Sequence, residues 1–210
     1  MTRIIAGSAG GRSLATPRGS ATRPTSDRVR EALFSTVQSW AGSFDWLRVL
    51  DLYAGTGALG LESLSRGASA ATLVEHDKRT AGLISRNATD LGLGPVRVVA
   101  GTVRSFLAGP PPSEPYDLVL SDPPYPLADD AVAADLVALG APGWLAVDAL
   151  VVVERSARSP EPRWPAGFTA RKPRNYGETA LWTADWPGGA QDQEQDQEQD
   201  GDVQQEEERP

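Results

Sequence analysis

The sequence predicts a doubly wound α/β domain built on a mostly parallel sheet, and three observations predict it. Short apolar runs alternate with stretches of helical length along the body of the chain, a glycine-rich turn follows the first run, and a proline-stiffened acidic turn follows the fourth. Ligands of such sheets bind outside the carboxyl ends of the strands. The two unusual turns sit where that rule places a site.

Taken in order, "TRIIAGSAGGRSLATP" reads as a small glycine-rich β-hairpin, an N-terminal extension over residues 1–22. "RPTSDRVREALFSTVQSW" follows, with Thr25 or Ser26 as the cap of a helix whose apolar face is Val29, Ala32, Leu33, Val37 and Trp40. The main domain, residues 23–189, then runs through "LRVLDLY" (47–53), "ATLVEH" (71–76), "VRVVAG" (96–101), "YDLVLSD" (116–122) and "ALVVVE" (149–154). These are continuous apolar runs of strand length, as expected for parallel strands covered on both faces. Helical stretches lie between them near 58–66, 78–91, 102–108 and 128–140. "FTARKPRNYGETALWTA" predicts two further strands around an Asn-Tyr-Gly turn, an antiparallel hairpin at one edge of the sheet. The low-complexity end, residues 190–210, lacks the apolar periodicity of a packed element and reads as a disordered acidic tail.

Composition closes off several classes of chemistry. The chain has 210 residues and no cysteine, which excludes disulfides, thiolate metal sites and cysteine nucleophiles, including the adducts through which ring carbons of pyrimidines are commonly methylated. His76 is the only histidine and lacks neighbours at ligand spacing, so no metal site is expected. The opening lacks the apolar core of a signal peptide, and no run approaches the roughly 20 apolar residues of a membrane span, so a cytoplasmic protein without membrane contact is expected. The formal net charge of −8 resides in the tail, where nine acids face one arginine, leaving residues 1–189 neutral. Within that body, residues 1–30 hold six arginines against Asp27, and residues 155–174 hold six basic residues against Glu161.

The first strand ends in "DLYAGTGALGLESLSRGA". Gly55, Gly57 and Gly60 have G-x-G-x-x-G spacing, which brings backbone close to a ligand, and Glu75 ends the next strand where an acid can take both hydroxyls of a ribose. Two adenosine-bearing ligands fit, a nicotinamide dinucleotide or S-adenosylmethionine. Asp51 favours the second, because a carboxylate suits a cationic amino-acid group and repels a pyrophosphate. Asp122, Pro123, Pro124 and Tyr125 form the second turn. Beside the first strand end, the Asp122 carboxylate and an adjacent carbonyl can accept both hydrogens of a planar exocyclic amine, while Tyr125 stacks on the base that carries it.

The motifs "RPTSDRVREALFS", "DLYAGTGALGLESLSRGA", "VEHD", "SDPPY" and "NYGETALW" together resemble the RsmD family of bacterial 16S ribosomal RNA guanine-N2 methyltransferases, from about Arg3 to Trp182. The resemblance implies a class I, Rossmann-like fold with a seven-stranded sheet, S-adenosylmethionine as methyl donor, and a guanine amine as acceptor. It further implies 16S rRNA in an assembled or partly assembled small ribosomal subunit as partner, with ribosomal proteins in contact; a monomer is expected. Carried over by position, Asp51, Tyr53, Ala54, Gly55 and Gly57 hold the methionine part, Glu75 the ribose with His76 beside it, and Asp122 to Tyr125 the reacting amine. Gly101 and Thr102 stand where many class I enzymes carry an acid or amide near the adenine, which leaves that contact to backbone groups. Arg23, Arg28, Arg30 and Arg174 are the expected RNA contacts, with Arg171 and Lys172 nearby. Asp-Pro-Pro-Tyr serves an adenine amine by the same geometry, so an adenine methyltransferase on DNA or RNA is the alternative. A non-catalytic ribosome-assembly module is the third reading.

Overall fold

The computed structural model describes residues 2–17, 26–124 and 126–188. Arg23, Thr25, Tyr125 and the tail from 190 onward lie outside the described residues.

Helix α1 (Asp27–Ala41) starts at Ser26, whose hydroxyl accepts the Val29 N–H at 3.3 Å, and stops at Gly42 in a positive-φ conformation. Its buried stripe is Val29, Arg30, Leu33, Phe34 and Val37. Ala32 and Trp40, expected on that face, are only half-buried, and Phe34 takes their place in the core. The alternation that follows is β1 (Arg48–Leu52), α2 (Ala58–Ser65), β2 (Ala70–Glu75), α3 (Lys78–Leu91), β3 (Val96–Ala100), α4 (Val103–Leu107), β4 (Tyr116–Ser121), α5 (Asp129–Leu139) and β5 (Leu145–Ser156). The chain closes with β6 (Thr169–Ala170), β7 (Arg174–Tyr176) and β8 (Thr179–Trp186).

The sheet order is β3-β2-β1-β4-β5-β8-β6, with β7 also on β8. Strands β1 to β5 are parallel and β8 pairs antiparallel with β5, β6 and β7. β6 and β7 occupy successive stretches of the same side of β8, separated by Arg171-Lys172-Pro173. They amount to one outer strand broken where proline has no N–H to give the ladder, so seven strand positions hold eight segments. The hairpin turn lies at Gly177–Glu178, one residue later than the sequence suggested.

Side-chain alternation splits the sheet into two cores. Val49, Leu73, Leu118, Leu120, Leu150 and Val152 pack under α1, α2 and α3, whereas Leu50, Leu52, Val74, Val119, Val151 and Val153 pack under α4 and α5. The crossovers change face between β1 and β4, which are direct neighbours with Leu52 opposite Ser121. That is the switch point where a doubly wound sheet opens a crevice.

The N-terminal segment forms a turn closed by an Arg3–Ser13 bridge, with the Ile4 N–H on the Arg12 carbonyl and the Leu14 N–H on the Thr2 carbonyl. It docks on α2. The Ile5 and Ala6 N–H groups donate to the buried Glu62 carboxylate at 2.6 and 3.0 Å, and Ile4, Ala9 and Leu14 enter the first core. Among the described residues, no helix is long and apolar enough to cross a membrane.

Candidate active site

Four acids stand at the carboxyl ends of four adjacent strands. Continuing the alternation of each strand, Glu75 (β2), Asp51 (β1), Asp122 (after β4) and Glu154 (β5) all turn to the face that carries α1, α2 and α3. The register sets their heights. Leu52 pairs with Val74 and Ser121, and Ser121 with Val153, so Glu75, Asp122 and Glu154 share one level while Asp51 lies two residues below it.

Asp51 is 1% exposed, and its Oδ2 accepts the Gly60 N–H at 2.8 Å. Its Oδ1 is buried and has no hydrogen-bond partner among the described residues. Burial pushes the carboxyl up to about 8, against the Gly60 bond, and the nearby Asp122 and Glu75 push the same way. A buried acid in that position lacks a counter-charge, and a cationic ligand group would supply it. Glu75 is also buried, with Oε2 accepting the Gly55 N–H at 2.9 Å and Oε1 accepting the Asp77 N–H at 2.8 Å and facing His76 Nδ1 at 2.9 Å. Oε2, with a single donor, keeps a second lone pair for a hydroxyl.

The glycines between these acids differ in duty. A Cβ on Gly60 would sit 2.7 Å from Leu73, and one on Gly57 would sit 2.9 Å from Ile84, so both are required by packing of α2 and α3 on the sheet. At Gly55 the same construction meets only the Tyr53 carbonyl, at 4.0 Å, with φ at +55°. Its open side is where a ligand can approach the backbone. Tyr53 takes φ of +62°, unusual for a side chain of its size, and its hydroxyl donates to Asp135 of α5. Burial and that acid together raise the Tyr53 hydroxyl. Ala54 is tied to β2 by its N–H on the Val74 carbonyl.

The other expected positions are distributed unevenly. His76 is largely exposed, Gly101 leaves its Cβ side open, and the Thr102 hydroxyl caps α4 by accepting the Ser105 N–H. In the acidic turn Pro123 is buried, and the Pro124 carbonyl accepts the Leu127 N–H at 2.8 Å. Arg155 holds the segment beyond it, donating to the Leu127 carbonyl at 3.1 Å and to Asp129 at 2.6 Å. Of the arginines expected on RNA, Arg28 and Arg174 are exposed, and Arg174 reaches Thr36 of α1 at 3.1 Å. Arg30 departs from that expectation. It is 1% exposed and bound to Asp27 at 2.7 Å, because it falls on the buried stripe of α1. Arg171 is held by both oxygens of Asp185. No group of residues able to hold a metal ion occurs among those described.

Glu154, which is not among the sequence-predicted site residues, lines a cleft with Asp122, Pro123, Arg155, Ser156 and Ser159. Its signal was available, since "VVVER" ends an apolar strand in an acid as "TLVEH" does. Only the strand register shows that it stands beside Asp122.

Residues 2–185 match the family model described as Conserved hypothetical protein 95. Ribosomal RNA small subunit methyltransferase D of Escherichia coli K12 is 38% identical over 178 residues, covering 85% of this chain and 86% of that protein. The chain belongs to the RsmD family. An RsmD relative of the same name from Haemophilus influenzae is 35% identical over 162 residues, covering 75% of this chain and 80% of its own. Among solved structures, yhhF from Escherichia coli superposes with a TM-score of 0.79 at 34% identity, over 90% of this chain and 99% of that one. A hypothetical protein from Thermus thermophilus gives 0.72 at 33%, over 87% and 98%. RsmD-family membership thus covers the sheet, both turns and the N-terminal segment, and leaves the acidic tail outside it.

Proposed function

We propose that this RsmD-family chain transfers a methyl group from S-adenosylmethionine to the exocyclic N2 amine of a guanine in small-subunit ribosomal RNA. The observation that carries the reading is that the adjacent carboxyl ends of β1 and β4 bring a buried Asp51 oxygen without a partner among the described residues close to Asp122 in the proline turn. When bound, S-adenosylmethionine supplies a methyl group on a positively charged sulfur, ready for attack by a nitrogen lone pair. The chain's own residues position and balance that chemistry. Asp51 Oδ1 takes the ammonium of the amino-acid part, Gly55 lets the backbone approach, and Glu75 accepts from the ribose hydroxyls.

On the acceptor side, the Pro124 carbonyl is occupied within its turn, so the carbonyl assigned to the amine beside Asp122 is that of Pro123. Asp122 and this carbonyl accept the two amine hydrogens, which turns the lone pair out of the base plane. The carboxylate then faces the positive charge that grows on nitrogen, and the proton shed by the amine leaves to Asp122 or water. A stacked base cannot reach this crevice, so the guanine must be splayed or flipped. The relatives named for ribosomal RNA small-subunit methylation support the RNA part of the proposal.

The test is radiolabelled transfer from S-adenosylmethionine to small subunits from cells lacking this gene, followed by nucleoside analysis. Label is expected in N2-methylguanosine, and Asp122→Ala should lower the rate by about 10²–10³-fold while S-adenosylmethionine binding is kept. Label in adenosine would replace guanine by adenine as the acceptor, and tight subunit binding without label would turn the reading to an assembly module.

A further inference from the structure

The Asp-Pro-Pro turn serves any planar amine, so the choice of base must come from elsewhere in the crevice. We infer that Glu154 determines specificity for guanine by accepting the N1–H of the target base beside the amine held by Asp122; the inference rests on the methyl-transfer reading above. Three observations carry it. Glu154 lines the same cleft as Asp122 and Pro123, on the side of β4 away from the cofactor acids Asp51 and Glu75. Its register position is one step beyond the Ser121–Val153 pair, level with Asp122 on a neighbouring strand about 4.8 Å away. Its strand alternation turns it to the face of Asp122, whereas the next residue, Arg155, turns to the other face and binds Asp129 of α5.

The base edges decide what two such acids can receive. Guanine presents adjacent donors, the N2 amine and N1–H, followed by the O6 acceptor. Adenine presents an amine next to N1, which carries a lone pair and no hydrogen. A carboxylate is an acceptor only, so Glu154 completes a hydrogen bond with guanine N1–H and opposes the lone pair of adenine N1. Ser156 lies two residues farther along β5 in the same cleft, with Ser159, and their hydroxyls are donors suited to O6. Asp122, Glu154 and Ser156 thus offer an acceptor, an acceptor and a donor, the complement of N2–H, N1–H and O6. A site built on such bonds rejects an analogue lacking the matching group far more strongly than a shape-fitted apolar pocket does.

The experiment uses the full chain, with the labelled nucleotide first mapped by the wild-type protein. Small subunits are then reconstituted with either guanine or 2-aminopurine at that position. 2-Aminopurine keeps the reacting amine but has no hydrogen at N1 and no O6, so the part played by Glu154 is read from the change in the ratio between wild type and variants. The wild type should methylate guanine at least about 10²-fold faster than 2-aminopurine. Glu154→Gln, whose amide can donate to the bare N1, should narrow that ratio to within about tenfold, and Glu154→Ala should lower it by loss on guanine alone. Calorimetric S-adenosylmethionine binding should match the wild type in both variants, which separates the effect from misfolding. An equal guanine to 2-aminopurine ratio in wild type and variants overturns the role of Glu154 while leaving guanine methylation intact. A wild type that labels no guanine overturns the methyl-transfer reading and this inference with it.

Discussion

The buried Asp51 carboxyl ties stability, and the ligand binding proposed for it, to a single proton. Its carboxyl is pushed up to about 8 by burial, so between the ordinary carboxylate range near 4 and about pH 8 the folded chain holds a proton that the unfolded chain has released. Ligand-free stability therefore falls as pH rises through that window and levels off above about pH 8, and Asp51→Asn should remove the slope. Binding a cation at Oδ1 reverses the balance, because the ion pair favours the charged carboxylate. Below pH 8 each ligand bound should release close to one proton, and affinity for S-adenosylmethionine should rise up to about tenfold per pH unit before levelling near pH 8. Calorimetry at pH 6.5 in two buffers of different ionisation enthalpy measures the proton directly. Release in the wild type and none in Asp51→Asn is the expected pair of results, and equal heats in both buffers for the wild type would remove Asp51 from the ammonium site.

The elements show why some of this architecture was legible in the sequence and some was not. Strands and helices followed from local periodicity, and the spacing of Asp51, Gly55 and Glu75 within one β-α-β unit marks the half-site proposed for the cofactor. Glu154 was not legible, because an acid at the end of an apolar strand acquires a partner only when distant strands pair in register. Glu62 was hidden for a related reason. In "LGLESLSRGA" it reads as a solvent-facing helix acid, yet it is fully buried beneath the N-terminal turn, accepting the Ile5 and Ala6 N–H groups and Arg66 Nε at 2.8 Å. A helix position thus acts as the anchor of a segment 56 or 57 residues away. Glu62→Ala leaves two amides and a largely buried guanidinium without their acceptor, for an expected loss of about 3–5 kcal/mol. Denaturant melts measure the loss, and proteolysis should begin within residues 2–17, with early amide exchange at Ile5 and Ala6. Uniform exchange across the sheet, with that segment still protected, would show that Glu62 does not hold it.

At the scale of the whole molecule, arginine counts overstate the surface available to RNA. Arg3 and Arg30 share Asp27, Arg12 donates to the Asp90 and Leu91 carbonyls at the end of α3, and Arg171 is clamped by Asp185. Much of the first basic segment is therefore internal stitching that holds the N-terminal turn to α1 and α3, something charge tallies along a sequence cannot reveal. Arg28 and Arg174 remain exposed, and the Arg174 bond to Thr36 sets β7 against α1, the helix on the face to which the four acids turn. Each phosphate neutralised releases condensed counterions, so a contact is read as a change in salt dependence rather than in affinity at one salt concentration. Arg28→Ala and Arg174→Ala should each reduce the slope of log affinity against log salt by about 1, measured on small-subunit RNA between about 50 and 200 mM salt. Arg171→Ala should leave the slope in place, because its charge is already balanced by Asp185, and should instead loosen the β6–β8 edge. A slope that falls for Arg171→Ala and stays constant for the other two would move the RNA path away from α1 to the sheet edge.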